Sequence, residues 1–236
     1  MTTIDLIAFD ADDTLWHTET LYIQVQENLK QVLSSYIDPA IVDEALFQTE
    51  MRNLPDYGYG IKSFTLSQIE TAIDLTEGRI TGSDIKKILD QAKSMINAEV
   101  QLLDFTRETV TALADSYPLM IVTKGDLLDQ EAKIERSGLK HCFRYIEIVS
   151  DKTCTGYTSL LAKYQIDPAH FLMVGNSLRS DILPVIEMGG QAVFIPYHLT
   201  WEHENVAIPP DCQGRFHELE HIGLLPELIA KLNSRS

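Results

Sequence analysis

The stretch Ile4-Asp5-Leu6-Ile7-Ala8-Phe9-Asp10-Ala11-Asp12-Asp13-Thr14-Leu15 decides how this chain is read. An apolar run of strand type ends in three carboxylates within four residues. Carboxylates gathered at a strand end repel one another unless a cation or a proton neutralises them. Asp10 and Asp12 are two residues apart, and in an extended chain that spacing turns both side chains the same way. One can then act as a nucleophile and the other as an acid or base on the same substrate atom. A hard divalent cation such as Mg²⁺ prefers such oxygen ligands. Taken alone, the stretch fits an ordinary strand and acidic turn equally well. The rest of the chain shifts the balance.

Downstream of Thr14 the pattern becomes helical. Leu21, Val25, Leu29, Val32 and Leu33 share one helix face. Pro39 suits the first turn of a second helix carrying Ile41, Val42, Ala45, Leu46 and Met51. Pro55 and the glycine-rich Asp56-Tyr57-Gly58-Tyr59-Gly60 predict a break. A third helix is predicted over Ser63 to Leu75, closed by Gly78. A fourth starts at Thr81-Gly82-Ser83-Asp84, which is rich in N-cap residues. Four helices without a strand predict a small separate bundle.

Strands and helices alternate from about residue 103. Strands are predicted at 119–123, 145–149, 171–174 and 191–195. Helices are predicted at 105–114, 127–138, 153–164 and 178–188, with Pro184 disturbing the last. Pro196 to Phe216 has no firm period, and Ile222 to Leu232 reads as a terminal helix. Apolar strands alternating with helices predict an α/β fold with a doubly wound parallel sheet. Ligands bind such sheets beyond the carboxyl ends of the strands.

That rim collects chemistry. The first strand delivers Asp10 and Asp12. The second delivers Thr123, then Lys124-Gly125-Asp126. The third delivers Ser150-Asp151-Lys152, and the fourth Gly175-Asn176-Ser177 and then Asp181. Singly, Thr123 reads as a strand-end residue, Lys152 as a surface lysine, and Asn176 and Asp181 as helix caps. Jointly they predict a site.

Composition narrows the classes. The chain has 236 residues, 44% of them hydrophobic, enough for a large core and a smaller second domain. Its formal net charge of −16 argues against nucleic acid and anionic membranes as partners. A phosphorylated small molecule remains compatible, since a cation and a few lysines reverse the sign inside a cleft. The three cysteines, Cys142, Cys154 and Cys212, are widely spaced, which suits a reducing cytoplasm and not a disulfide framework or zinc site. No targeting segment or membrane-spanning run is read from the sequence.

The ordered set resembles the haloacid dehalogenase-like (HAD) hydrolase superfamily. Four motifs carry the resemblance: Asp10-Ala11-Asp12-Asp13-Thr14-Leu15, Thr123 after an apolar strand, Lys152 before a helix, and Gly175-Asn176-Ser177-Leu178-Arg179-Ser180-Asp181. It implies a Rossmann-like core at 1–16 and 104–236 and a helical cap at 17–103. It implies an enzyme, a phosphoric monoester hydrolase, with Asp10 as nucleophile forming an aspartyl-phosphate and Asp12 as acid and base. Thr123 and Lys152 would bind the phosphoryl group. Mg²⁺ would be held by Asp10, the Asp12 carbonyl, Asn176 and Asp181. The dehalogenase branch lacks the second motif aspartate and uses no Mg²⁺, so Asp12 favours a phosphatase.

Two residues depart from the pattern. Asn176 stands where an aspartate is usual, keeping an oxygen but losing a charge. Lys124 stands where many relatives carry asparagine. Lys124, Arg52 and Lys62 are candidate substrate contacts. Asp13 is expected to cap or orient its loop, and His17 to pack at the entry to the cap. The expected substrate is a small phosphorylated metabolite, the expected compartment the cytoplasm, and the expected state a monomer or homodimer. The alternatives are a phosphomutase, a dehalogenase-type hydrolase and a non-catalytic binding protein of the same fold.

Overall fold

A computed structural model of the chain describes residues 4–199, 201–204, 206 and 214–234. Two compact units divide it. Met1–Glu19, Val100–Thr123 and Glu131–Ser236 form the first, and Thr20–Glu99 with Lys124–Gln130 the second. The sequence places the helical segment at 17–103. Contacts begin it at Thr20, end it at Glu99 and add residues 124–130.

Six strands form one sheet: β1 (Leu6–Phe9), β2 (Leu119–Lys124), β3 (Tyr145–Val149), β4 (Phe171–Gly175), β5 (Gln191–Phe194) and β6 (Phe216–Glu218). Their order is β3-β2-β1-β4-β5-β6. The pairings β1 with β2, β1 with β4, β4 with β5 and β5 with β6 are all parallel. Phe9 lies level with Ile121 on one side and Val174 on the other, so three strand ends open at one edge.

The period of two sorts β1 between two cores. Ile7 and Phe9 join Leu119, Ile121, Leu172 and Val174 on one face. Leu6 and Ala8 join Met120, Val122, Phe171 and Met173 on the other. All four β1 residues are fully buried, as a central parallel strand requires. Both faces are therefore covered, and the fold is a doubly wound α/β sheet as the sequence predicts.

The helices of the second unit are α1 (Glu19–Leu33), α2 (Val42–Tyr57), α3 (Ile61–Leu75) and α4 (Gly82–Ile96). Val25, Leu29, Leu33, Leu46, Phe64, Ala72 and Ile88 share their core. Thr81 caps α4, accepting the Asp84 N–H as predicted. Pro55 does not break α2, which continues to Tyr57. Proline there removes only one ladder bond in the last turn. Gly58 ends the helix instead, with φ +68°, a conformation that favours glycine.

The first unit carries α5 (Thr106–Ala114), α7 (Cys154–Tyr164), α8 (Leu183–Glu187) and α9 (Leu225–Ser234), and α6 (Leu127–Arg136) has its first four residues in the second unit and the rest in the first. The predicted helix over 178–188 is two pieces: a π-helical turn over Leu178–Ile182, then α8. Pro184 has no N–H to offer the preceding turn, and the Leu183 N–H bonds five residues back to Leu178. Strand β6 starts at the last residue of the region that shows no period and is not predicted, since three residues are too few to display one. Cys212 lies outside the described residues. Among the described residues no helix is long and apolar enough to cross a membrane.

Candidate active site

The site is assembled at the ends of β1, β2 and β4 and in the segment after β3, all within the first unit. Asp10 follows β1, anchored by its N–H to the Val174 carbonyl at 2.9 Å. Lys152, just before α7, donates to Asp10 Oδ1 and, at 2.7 Å, to Asp181 Oδ1. Its side chain is 2% exposed, so this is a buried ammonium between two buried carboxylates. The other Asp181 oxygen accepts the Ser177 N–H at 3.0 Å. Asp181 stands in the π-helical turn, directly beneath Gly175. A methyl group on Gly175 would overlap the Asp181 carboxylate, so glycine is what lets that side chain approach.

Thr14 connects the two loops. Its hydroxyl lies 3.1 Å from Asp10 Oδ2 and 3.1 Å from Asn176 Oδ1, and its single proton serves one at a time. Thr123 is buried at the end of β2.

Asp12 is turned to a different set of donors. Trp16 Nε1 and Thr18 Oγ1 each donate to its Oδ1 at 2.8 Å. Lys133 on α6 reaches Oδ1 at 2.7 Å and Oδ2 at 2.8 Å. Asp13 has φ +63°, in the left-handed region, and accepts the N–H groups of Thr18 and Glu19. It thus serves the start of α1, the orienting role expected of it. His17 Nδ1 contacts the Tyr197 hydroxyl at 2.7 Å, a packing role.

A partly buried carboxylate not read from the sequence also borders the site. Glu204 Oε2 accepts the Ser180 hydroxyl at 2.6 Å and the Ser177 hydroxyl. It ties down the turn that carries Asn176 and Asp181. Sequence gives no sign of Glu204, because its segment lacks any period. Lys133 did leave a trace. The buried positions of α6 are Asp129, Gln130, Lys133 and Ile134, while Leu127 and Leu128 are exposed. A helix with polar residues at three- and four-residue spacing and its leucines outside contradicts a simple apolar stripe.

The remaining candidates lie in the second unit. Arg52 donates to Glu70 at 2.9 Å. Lys62 pairs with Asp126 at 3.2 Å. The Lys124 ammonium lies 3.9 Å from the centre of the Tyr59 ring, a cation–π contact.

The Asp10 carboxyl is pushed up to about 7, chiefly by burial, with Lys152 opposing the rise and Asp181 and Asp12 adding to it. Burial works against charge on Lys152 too, but Asp10 and Asp181 outweigh it and hold the ammonium above the ordinary lysine value. An acidic group raised among like charges gains from any further cation placed beside it. The donor set suits a hard one. Asp10, Asp181 and the Asn176 amide offer only oxygens, and the bare Cα of Gly175 makes room for Asp181. Among the described residues no three His, Cys, Asp or Glu side chains form a metal-holding group. Two carboxylates and one amide could hold such a cation, with less charge than three carboxylates would supply.

Comparisons with known proteins bear on the family and the fold. A family profile described as haloacid dehalogenase-like hydrolase matches residues 4–189. A haloacid dehalogenase-like family hydrolase from Xanthomonas campestris is 36% identical, with a TM-score of 0.87, over 100% of this chain and 98% of that one. A 2-haloacid dehalogenase from Pseudomonas syringae pv. Tomato DC3000 is 20% identical, with a TM-score of 0.65, over 98% of this chain and 100% of that one. A predicted phosphoglycolate phosphatase from Haemophilus somnus 129PT is 19% identical, with a TM-score of 0.64, over 97% of this chain and 99% of that one. The last two share the fold and differ in chemistry, so fold likeness alone does not select a substrate. No curated protein matches. The profile and the Xanthomonas structure together give the assignment: this chain belongs to the haloacid dehalogenase-like hydrolase family.

Proposed function

We propose that this protein is a Mg²⁺-dependent phosphatase of a small phosphorylated metabolite, acting through an aspartyl-phosphate on Asp10. The observation that carries the reading is Asp12. A second carboxylate stands two residues beyond the nucleophile and is held by Trp16, Thr18 and Lys133. Displacing an alkoxide from phosphorus calls for a proton donor, whereas displacing a halide from carbon does not.

Asp10 attacks phosphorus, the bond to the leaving oxygen breaks, and Asp12 supplies that oxygen with a proton. Asp12 then takes a proton from the water that cleaves the aspartyl-phosphate, releasing inorganic phosphate and restoring Asp10. Thr123 donates to a phosphoryl oxygen, and the Lys152 ammonium offsets phosphoryl charge. Asp10, the Asp12 carbonyl, Asn176 and Asp181 would hold Mg²⁺, whose charge lets an anionic nucleophile meet an anionic phosphate. Cys142 and Cys154 are free thiols, which supports a reducing, cytoplasmic setting.

The test is phosphate release from a panel of phosphorylated metabolites, with and without Mg²⁺, beside halide release from 2-haloacids. Phosphate release that requires Mg²⁺ supports the reading. Halide release without phosphate release, unaffected by EDTA, overturns it in favour of a dehalogenase.

A further inference from the structure

Asp12 depends on a residue far from it in sequence. Lys133 is nine-tenths buried on α6, and its ammonium spans both Asp12 oxygens at 2.7 and 2.8 Å. Trp16 Nε1 and Thr18 Oγ1 both converge on Oδ1. Turning the carboxyl about the Cβ–Cγ bond carries Oδ1 away from those donors and Oδ2 away from the ammonium. A cation bridging both oxygens opposes that turn.

We infer that Lys133 is a positioning residue for the proton-transfer step, fixing the rotation of the Asp12 carboxyl relative to the leaving oxygen. This rests on the phosphatase reading above. A general acid contributes only when its proton lies within hydrogen-bond reach and in line, and small misplacements cost orders of magnitude. Lys133 itself need not touch substrate. Trp16 and Thr18 place Asp12, and Lys133 orients it.

The experiment compares Lys133→Met and Lys133→Arg with wild type on two esters, phenyl phosphate and para-nitrophenyl phosphate, in saturating Mg²⁺. Nitrophenolate leaves readily without a proton, whereas phenolate depends on one. Lys133→Met is expected to lower kcat on phenyl phosphate about 100-fold, the scale of general acid catalysis, with little change in KM. On para-nitrophenyl phosphate the loss is expected to be only a few-fold. Lys133→Arg, which keeps a two-oxygen contact, is expected to restore most of the phenyl phosphate rate. If Lys133→Met does not fold, Lys133→Gln gives the same ester ratio.

Equal losses on both esters, with wild type active, overturn the positioning role while leaving the phosphatase reading intact. So does failure of Lys133→Arg to restore rate. Wild-type protein inactive on every phosphoester overturns the phosphatase reading, and the role of Lys133 falls with it.

Discussion

Lys152 Nζ lies 2.7 Å from Asp181 Oδ1 in a side-chain environment almost closed to water. The same ammonium also bonds Asp10, so one cation from the segment after β3 joins carboxylates from the ends of β1 and β4. Substituting Lys152 by methionine would strand two buried acids. Removing one partner of a buried pair costs about 3–5 kcal/mol. Lys152→Met is therefore expected to lose about 3 kcal/mol in urea unfolding and to regain part of it when Mg²⁺ is added. A change within about 0.5 kcal/mol, the range of ordinary surface substitutions, would contradict a buried pair.

Gly175 makes a second, independent test of the same cluster. Gly175→Ala sets a methyl group against the Asp181 carboxylate. The side chain must move or the strand end must shift, and overpacking of this kind costs about 1–3 kcal/mol. Calorimetric titration is expected to show weaker Mg²⁺ binding than wild type. Unchanged affinity would remove Asp181 from the cation site.

Glu204 separates loop anchoring from metal contact. Glu204→Ala releases the Ser177 and Ser180 hydroxyls that flank Asn176 and Asp181. The expected result is weaker Mg²⁺ binding by titration with near-native far-ultraviolet circular dichroism. Binding equal to wild type would show that the turn holds its shape without Glu204.

The helical unit offers a pH test away from the site. Lys87, Tyr36 and Thr81 all bond the Asp84 carboxylate, and together they pull its pKa down to about 2, Lys87 contributing most. A folded pKa below the unfolded value of about 3.9 means stabilisation that is complete above that value. It is lost as pH falls through about 2. Asp84→Asn should lower the unfolding temperature at pH 6 and make no difference near pH 2. An equal deficit at both pH values would assign the effect to geometry and not to charge.

The parts of this molecule legible in its sequence follow from local rules. Asp10 and Asp12 stand out in the sequence because a fully apolar strand stops at a carboxylate, and the two cores bury that strand on both faces. Thr81 declared α4, and Asp13 declared a turn. Glu204 could not be read, and Lys133 left only the odd polar pattern of α6, because each acts across a long separation in the chain on a partner that no periodicity links to it. Pro55 misled for the opposite reason: its local rule is strong, but a last helical turn has little left to lose. The division of 178–188 into a π-helical turn and α8 follows from Pro184, which the sequence shows disturbing that helix.

The central claim is that Asp10 becomes phosphorylated. Its most direct test is acid quenching of the protein during turnover of radiolabelled acetyl phosphate with Mg²⁺, followed by peptide mapping. Wild type is expected to carry hydroxylamine-labile phosphate on the peptide containing Asp10, and Asp10→Asn none. Turnover without any labelled aspartate, or equal labelling of Asp10→Asn, would contradict it.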